Sequence, residues 1–293
     1  MLRWLAVVAL AVGLSACGSA PRSSDDDGRL LVVTTTTQVS DFARNIGGDR
    51  VDVHPLLTAN VDPHDFEASA ADLVALGQAD VIVENGVGLE RWLSSTMRSA
   101  DPTGSFVDAS TGVNVRGGDP HIWTDPKNAE IMATNIATAL AAADPAGAAE
   151  YAANLATYTA ELDALDAAIS SQIGELTDKR LVTDHDSIGY YVDHYGLEYV
   201  GSVIPSFDSQ AELSPTDVHD LVARIKAQGV KAIFTEASLP PKTAEALAAE
   251  AGVKVVAGDD GLYGDSLGPI GSDGETYLKM MRHNTTAIVD NLR

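Results

Sequence analysis

The chain has 293 residues, a formal net charge of −23 and 45% hydrophobic residues. This length exceeds what one compact hydrophobic core usually holds, so we expect two lobes. The acidic balance disfavours nucleic acid and anionic membrane surfaces as partners, because both would repel the protein. A cationic ligand is favoured, but an acidic surface that serves only solubility explains the same charge.

Residues 1–29 have the features of an export signal followed by a tether. A basic start, Met1-Leu2-Arg3-Trp4, precedes an apolar run that ends at Leu14 and is too short to span a bilayer. The single cysteine of the chain, Cys17, follows this run, and the stretch around it resembles the lipobox of bacterial lipoproteins. We therefore predict a signal peptide over 1–16, lipid attachment at Cys17 and a flexible tether over 17–29.

Strand and helix patterns alternate through the rest of the first half. Short β-branched or apolar runs predict strands at 30–36, 51–57, 79–83 and 106–107, and amphipathic patterns predict helices at 38–47, 68–78, 87–99 and 127–142. This alternation is typical of a mainly parallel sheet that helices cover on both faces.

The second half repeats the scheme. Strands are predicted at 180–184, 198–204, 230–235 and 253–257, and helices at 187–195, 214–228, 240–251 and 273–292. The fold class is therefore α/β, with two lobes that each contain a mainly parallel four-stranded sheet flanked by helices. We place the first lobe at 30–143 and the second at 178–293.

The longest helical pattern lies between the two halves, within 144–177. It runs from Pro145 to about Leu176, with Asp144 as the predicted N-cap, and its large apolar residues keep three-and-four spacing. Such a helix would be about 45–50 Å long, enough to lie along both lobes. A coiled-coil segment is the alternative, but a coiled coil would need a partner, so we favour a single rigid connector.

Two copies of one tripeptide are the main chemical signal in the first half. Asp62-Pro63-His64 and Asp119-Pro120-His121 each place an imidazole directly after a proline, which fixes its own φ and so constrains the turn. Asp62 and Asp119 stand two residues before the rings and are positioned to orient the second ring nitrogen. A single histidine in a turn is usually a surface residue, but two copies followed by a third histidine at a strand end favour a metal site.

The second half supplies the other candidates. Leu181-Val182-Thr183-Asp184-His185 is an apolar strand that ends in a histidine, at the edge where open α/β sheets bind ligands. A loop rich in carboxylates follows the last strand, at 259–267, and Glu236 is a weaker alternative ligand. Three imidazoles and one carboxylate, two from each half, suit tetrahedral Zn²⁺ in the cleft between the lobes. His54, His194, His219 and His283 are expected to be surface or packing residues.

Several motifs in order make the chain resemble the zinc and manganese solute-binding lipoproteins of bacterial ABC transporters. They are Asp62-Pro63-His64, Asn85-Gly86 with Leu89-Glu90, Asp119-Pro120-His121-Ile122-Trp123, Thr183-Asp184-His185, Tyr195-Gly196-Leu197 and Asp265-Ser266-Leu267. The resemblance implies metal ligands at His64, His121, His185 and Asp265. It also implies zinc as the cargo, since a glutamate at the third ligand position goes with manganese.

The implied protein is a monomeric receptor, not an enzyme, with an ABC permease and its ATPase as partners. It would be lipid-anchored on the outer face of the bacterial cytoplasmic membrane. The sequence departs from the zinc pattern because residues 109–118 contain no histidine-rich loop, and because Asp184 and Asp186 flank His185.

Two mechanistic expectations follow from this ligand set. Capture should weaken below about pH 6, where histidines protonate. Release should begin in the loop from Gly261 to Gly268, because its glycines constrain it least.

Three rival functions stay open at this point. Manganese transport is the nearest rival. A zinc hydrolase is another, with Glu236 as its base and water in place of Asp265. The third is an adhesin that uses the metal only for structure.

Overall fold

The computed structural model describes residues 28–293. Signal peptide, Cys17 and most of the tether lie outside this range, so their assignments remain predictions. In the described range no helix is both long and apolar enough to cross a bilayer.

Two separate four-stranded sheets organise the chain, and every strand pair in both is parallel. The strands are β1 Leu30–Thr34, β2 Val51–Pro55, β3 Val81–Glu84, β4 Ser105–Asp108, β5 Arg180–His185, β6 Glu198–Ile204, β7 Ala232–Phe234 and β8 Lys254–Val256. The first sheet has the order β2-β1-β3-β4 and the second has the equivalent order β6-β5-β7-β8. The prediction of two α/β lobes with parallel sheets is confirmed.

Helices connect the strands within each half. They are α1 Thr37–Gly47, α2 Ala70–Gln78, α3 Leu93–Ala100, α4 Pro126–Ala143, α5 Ala148–Gly174, α6 Gly189–Tyr195, α7 Pro215–Gln228, α8 Lys242–Ala251 and α9 Tyr277–Leu292. Side chains of Thr36, Ser69, Asp125, Ser214 and Thr276 cap the N-termini of α1, α2, α4, α7 and α9, so polar residues set where these helices begin.

One helix boundary differs clearly from the prediction. The helix predicted from residue 87 begins at Leu93, because Gly86, Val87 and Gly88 all have positive φ. A right-handed helix requires negative φ at every position, so the segment before Leu93 forms turns instead.

The connecting helix α5 is also shorter than predicted. Pro145–Gly147 forms a separate 3₁₀ turn, and the 27 residues of α5 span about 40 Å. Asp144 does not cap it, because its carboxylate accepts hydrogen bonds from Arg50 at 2.8 and 2.5 Å and from Tyr151 at 2.9 Å.

The apolar stripe of α5 joins the two halves of the molecule. Tyr158, Leu162, Leu165 and Ile169 are buried, and α5 contacts α1 and α4 from the first half of the chain and α6 and α9 from the second. These contacts belong to one hydrophobic core that contains residues of both sheets. Helix α5 therefore lies along both lobes, as its apolar spacing predicted.

Candidate metal site between the two sheets

The four predicted ligands lie at or beyond the carboxyl ends of four different strands. His64 lies in the loop between β2 and α2, His121 follows β4, His185 is the last residue of β5, and Asp265 follows β8. In parallel α/β sheets this edge is where loops converge and ligands bind. The structure brings these four side chains together, two from each half of the chain.

The cluster is compact and almost fully enclosed. The Nε2 atoms of His64 and His121 are 3.3 Å apart. Asp265 Oδ1 lies 3.2 Å from His121 Nε2, and Asp265 Oδ2 lies 3.6 Å from the Nε2 atoms of both His64 and His185. The side chain of His64 is 5% exposed and the other three side chains are 0% exposed.

Asp119 orients the ring of His121. Its Oδ1 accepts the backbone N–H of His121 at 3.0 Å and lies 2.7 Å from His121 Nδ1. A carboxylate beside Nδ1 requires the proton on that nitrogen, which leaves the lone pair on Nε2 for the cluster. Asp119 thus contacts the ring nitrogen of His121, and its role in orienting a metal ligand stays a prediction.

Glu236 does the same for His185 from the opposite lobe. Its Oε1 lies 3.0 Å from His185 Nδ1 and also accepts a hydrogen bond from Ser187, while its Oε2 accepts the backbone N–H of Asp265 at 3.1 Å. Asp184 in turn accepts the backbone N–H groups of His185 and Glu236 at 2.9 and 2.6 Å. Glu236 thus supports two of the predicted ligands from behind.

Asp184, His185 and Glu236 also form a close trio of possible ligand atoms. The oxygens of Asp184 and Glu236 accept hydrogen bonds from the backbone N–H groups of His185, Glu236 and Asp265 and from Ser187, so in this structure they support the neighbouring ligands.

Asp62 does not orient the ring of His64 as predicted. Its Oδ1 accepts the backbone N–H of His64 at 2.9 Å, and its Oδ2 accepts hydrogen bonds from Ser209 at 2.6 Å and Gln210 at 2.9 Å. Ser209 and Gln210 follow β6, so Asp62 bridges the two lobes. This contact could not be predicted from local sequence patterns, because its partners lie almost 150 positions away.

The loop that carries Asp265 is more constrained than its glycines suggested. The carbonyl oxygen of Gly264 accepts hydrogen bonds from Gln38 and Trp123, both at 3.1 Å. Thr37 accepts the N–H of Leu267 at 2.8 Å, and Ser266 accepts the N–H of Asn60 at 2.8 Å. The first lobe thus holds this loop at several points, and the expectation that release begins there stays a prediction.

Several buried polar atoms at the centre of the cluster lack a well-directed partner. Within residues 28–293 these include His185 Nε2 and both carboxylate oxygens of Asp265. Buried polar groups are costly without partners, so this arrangement indicates a site shaped for a cation.

The electrostatics of the cluster favour an ionised Asp265 beside charged His121 and His185 rings. Burial lowers the pKa of His121, but the hydrogen bond to Asp119 and the nearby Asp265 outweigh burial and raise this pKa to about 9. Burial likewise lowers the pKa of His185, and the charges of Asp265 and Glu236 raise it to about 10. Burial raises the pKa of Asp265, but the neighbouring histidines hold it well below its usual range.

His64 behaves differently from the other two rings. Burial lowers its pKa, and the neighbouring charges of His121 and His185 lower it further, against the opposing effect of Asp265. The predicted threshold of about pH 6 for the loss of binding is therefore too low for two of the three rings.

The remaining histidines and acidic candidates lie outside the cluster. His54 approaches Asp72, His194 lies between Asp125 and Asp166, His283 bonds the carbonyl of Gly261, and His219 is exposed. Asp259 and Asp260 are exposed, and Asp186 is not part of the cluster.

Residues 32–291 match the family described as "ZnuA: Zinc-uptake complex component A periplasmic". The chain is 28% identical over 298 residues to the manganese ABC transporter substrate-binding lipoprotein PsaA of Streptococcus anginosus, covering 96% of this chain and 95% of PsaA. It is 30% identical over 302 residues to the metal ABC transporter substrate-binding lipoprotein FimA of Streptococcus parasanguinis, covering 97% and 96%.

A solved structure gives the same result for the fold. The periplasmic zinc-binding protein TroA of Treponema pallidum superimposes with a TM-score of 0.84 at 30% sequence identity, covering 90% of this chain and 99% of TroA.

Two parallel-sheet lobes with a buried polar cluster drawn from both are typical of solute-binding proteins, which bind their ligand between two lobes. The chain belongs to the ZnuA family of metal-binding substrate-binding proteins of ABC transporters. The resemblance inferred from the motifs is confirmed at the level of this family.

Proposed function

We propose that this protein is an extracytoplasmic receptor that captures Zn²⁺ between its lobes and delivers it to an ABC permease for import. His64, His121, His185 and Asp265 are the proposed ligands. Cys17 is the proposed lipid attachment site, and the streptococcal relatives PsaA and FimA are named as lipoproteins. The proposed partners are the permease and its ATPase, with the receptor acting as a monomer.

The separation of the ligand atoms is the observation that carries this proposal. Four ligands at about 2.0–2.1 Å from Zn²⁺ in a tetrahedron lie about 3.3–3.4 Å from one another. The measured separations from His121 Nε2 to His64 and to Asp265 are 3.3 and 3.2 Å, and the two other contacts of Asp265 are 3.6 Å. These four separations lie within a few tenths of an ångström of the tetrahedral spacing, and all the ligand atoms lie within 4.8 Å of one another.

The donor set supports zinc over manganese. Three imidazoles and one carboxylate suit Zn²⁺, whereas Mn²⁺ prefers sites richer in oxygen. Manganese remains the second candidate, because PsaA is named as a manganese protein and Asp265 has two oxygens facing the cluster. Two carboxylate oxygens would raise the coordination number to five.

The arrangement of Glu236 argues against a hydrolase. A catalytic zinc keeps an open position for water, with a base beside it. In the proposed ligand set Asp265 is the fourth ligand, and the carboxylate of Glu236 contacts His185 and the N–H of Asp265 instead of an open position. An adhesin with a structural metal has no observation in its favour.

Competitive calorimetry tests the proposal and separates the two metals. The metal-free protein is titrated with Zn²⁺ alone, with Mn²⁺ alone, and with Zn²⁺ after saturation with Mn²⁺. We expect one tight Zn²⁺ site that displaces Mn²⁺. Tighter binding of Mn²⁺ would transfer the assignment to manganese, and binding of neither ion would refute a metal receptor.

A further inference from the structure

Asn85 and Glu90 belong to a motif whose role is not explained by the four proposed ligands. Asn85 follows β3 directly, and Glu90 lies in the turn before α3. Asn85 is completely buried and Glu90 is 6% exposed. A buried carboxylate and a buried amide are costly unless each makes specific hydrogen bonds.

Glu90 ties together the ends of two neighbouring strands. Its Oε1 accepts hydrogen bonds from the hydroxyl of Thr35 at 2.5 Å and the N–H of Asn85 at 2.7 Å, and its Oε2 accepts the N–H of Gly86 at 3.3 Å. Thr35 follows β1 and Asn85 follows β3, which are adjacent in the first sheet. Glu90 therefore fixes the backbone from which the Asn85 side chain projects.

The turn at Gly86 adds to this constraint. Its φ is +91°, and a Cβ atom there would lie 2.1 Å from the carboxylate of Asp108. Only glycine fits this close approach and this backbone conformation.

Asn85 links this constrained turn to the segment that carries His121 by a hydrogen bond. Its Nδ2 donates hydrogen bonds to the carbonyl oxygens of Gly86 at 3.1 Å and Pro120 at 3.0 Å. The Pro120 carbonyl and the His121 N–H belong to one planar peptide group. Asp119 accepts that N–H at 3.0 Å, so both polar atoms of the peptide are held, and its plane sets the direction in which the His121 side chain leaves the backbone.

We propose that Asn85, held by Glu90, is a positioning residue that fixes the Pro120–His121 peptide and thereby aims the His121 ring at the metal site. We call these two side chains the Glu90–Asn85 strut. This inference rests on the proposed metal-binding function. It assigns the strut no direct contact with the ion.

The chain offers a matched control for a test of the strut. Asn135, on α4 in the same half of the chain, also donates two hydrogen bonds from Nδ2 to backbone carbonyls, those of Ala109 and Thr111, at 2.9 and 2.8 Å. It makes no hydrogen bond to the segment that carries His121. Asn85→Asp and Asn135→Asp each replace the donating amide by a carboxylate that repels the two carbonyl oxygens.

The experiment compares full-length wild type with the N85D and N135D variants. Zn²⁺ affinity is measured by competition with a chromophoric chelator, the visible absorption bands of bound Co²⁺ report the coordination geometry, and the melting temperature of the metal-free protein reports stability. We expect N85D to bind Zn²⁺ about 10–100-fold more weakly, as is usual when a support of a ligand is lost, and to shift the Co²⁺ bands. N135D should lower the melting temperature but leave affinity and spectrum unchanged.

Two outcomes would overturn the inference. One is an N85D protein with wild-type affinity and Co²⁺ spectrum, and the other is an equal loss of affinity in N135D. If N85D does not fold, Glu90→Gln is tested instead. Glutamine replaces one carboxylate oxygen by an NH₂ group, and this group must then face an N–H or hydroxyl donor. E90Q should show a smaller loss of affinity with the same shift in the Co²⁺ bands, and wild-type behaviour in both measurements would refute the strut. Failure of wild type to bind Zn²⁺ would instead refute the proposed function.

Discussion

The number of protons released on metal binding is the sharpest prediction of the site's electrostatics. The metal-free protein holds His121 and His185 with pKa values of about 9 and 10, so both rings are charged near neutral pH. A metal ion needs the lone pair on Nε2, while the Nδ1 protons stay with Asp119 and Glu236. Each of these two rings must therefore lose one proton when the ion binds.

The size of the effect follows from this count. His64, whose pKa is lowered, contributes no proton near neutral pH. About two protons should leave per Zn²⁺ ion at about pH 7.5, so the affinity should rise about 100-fold for each pH unit. The affinity rises with pH because both raised pKa values lie above the pH of the measurement. The slope should flatten as the pH passes about 9 and then about 10.

Calorimetry in buffers of different ionisation enthalpy measures this number directly. Asp119→Asn should reduce it, because the hydrogen bond to Asp119 is the largest effect that raises the pKa of His121. His219→Gln is the control, since His219 is exposed and is not part of the cluster. An affinity that does not change between about pH 7 and 8.5, or a release of no protons, would refute this account of the site.

Two further substitutions test the second half of the site. Asp265→Asn removes the anionic ligand and should weaken Zn²⁺ binding by about 100-fold or more, measured by chelator competition, whereas the exposed Asp259→Asn should bind normally. Equal affinities for these two variants would exclude Asp265 as a ligand. Gly264→Ala would place a Cβ atom 2.2 Å from the carboxylate of Glu236. This variant should have a lower melting temperature and should bind Zn²⁺ about 10-fold more weakly, or worse. Gly174→Ala, which meets no atom within 4 Å, should leave affinity unchanged and raise stability by up to about 1 kcal/mol. A G264A protein as stable and as tight as wild type would contradict the close contact with Glu236.

The elements that were predicted well are those with a local cause. Alternation of apolar residues marked the strands, three-and-four spacing marked α5, and the repeated Asp-Pro-His tripeptide marked His64 and His121. Each of these signals lies within one turn, one strand or one helix. The helix start predicted at Val87 was wrong because Val87 has a positive φ, and nothing about an ordinary apolar residue predicts that conformation.

The supports of the site needed the folded structure. The sequence offered an acidic loop after β8, and only the resemblance singled out Asp265 within it. Glu236 appeared from sequence as a weak ligand candidate, but the fold places it behind His185 at 3.0 Å. Asp62 appeared as a partner of its own ring, but the fold directs its second oxygen to Ser209 across the cleft.

The amino-acid sequence by itself thus determined the α/β class, the connecting helix and which imidazoles approach the cleft. The tertiary structure alone decided which carboxylates hold those rings and how one lobe restrains the loops of the other. The physical reason is one of range. Periodicity and turn chemistry act over a few residues. The hydrogen bonds that orient a ligand instead join atoms from distant parts of the chain, such as Gln38 and Gly264, and these atoms meet only in the folded molecule, where both halves share one core.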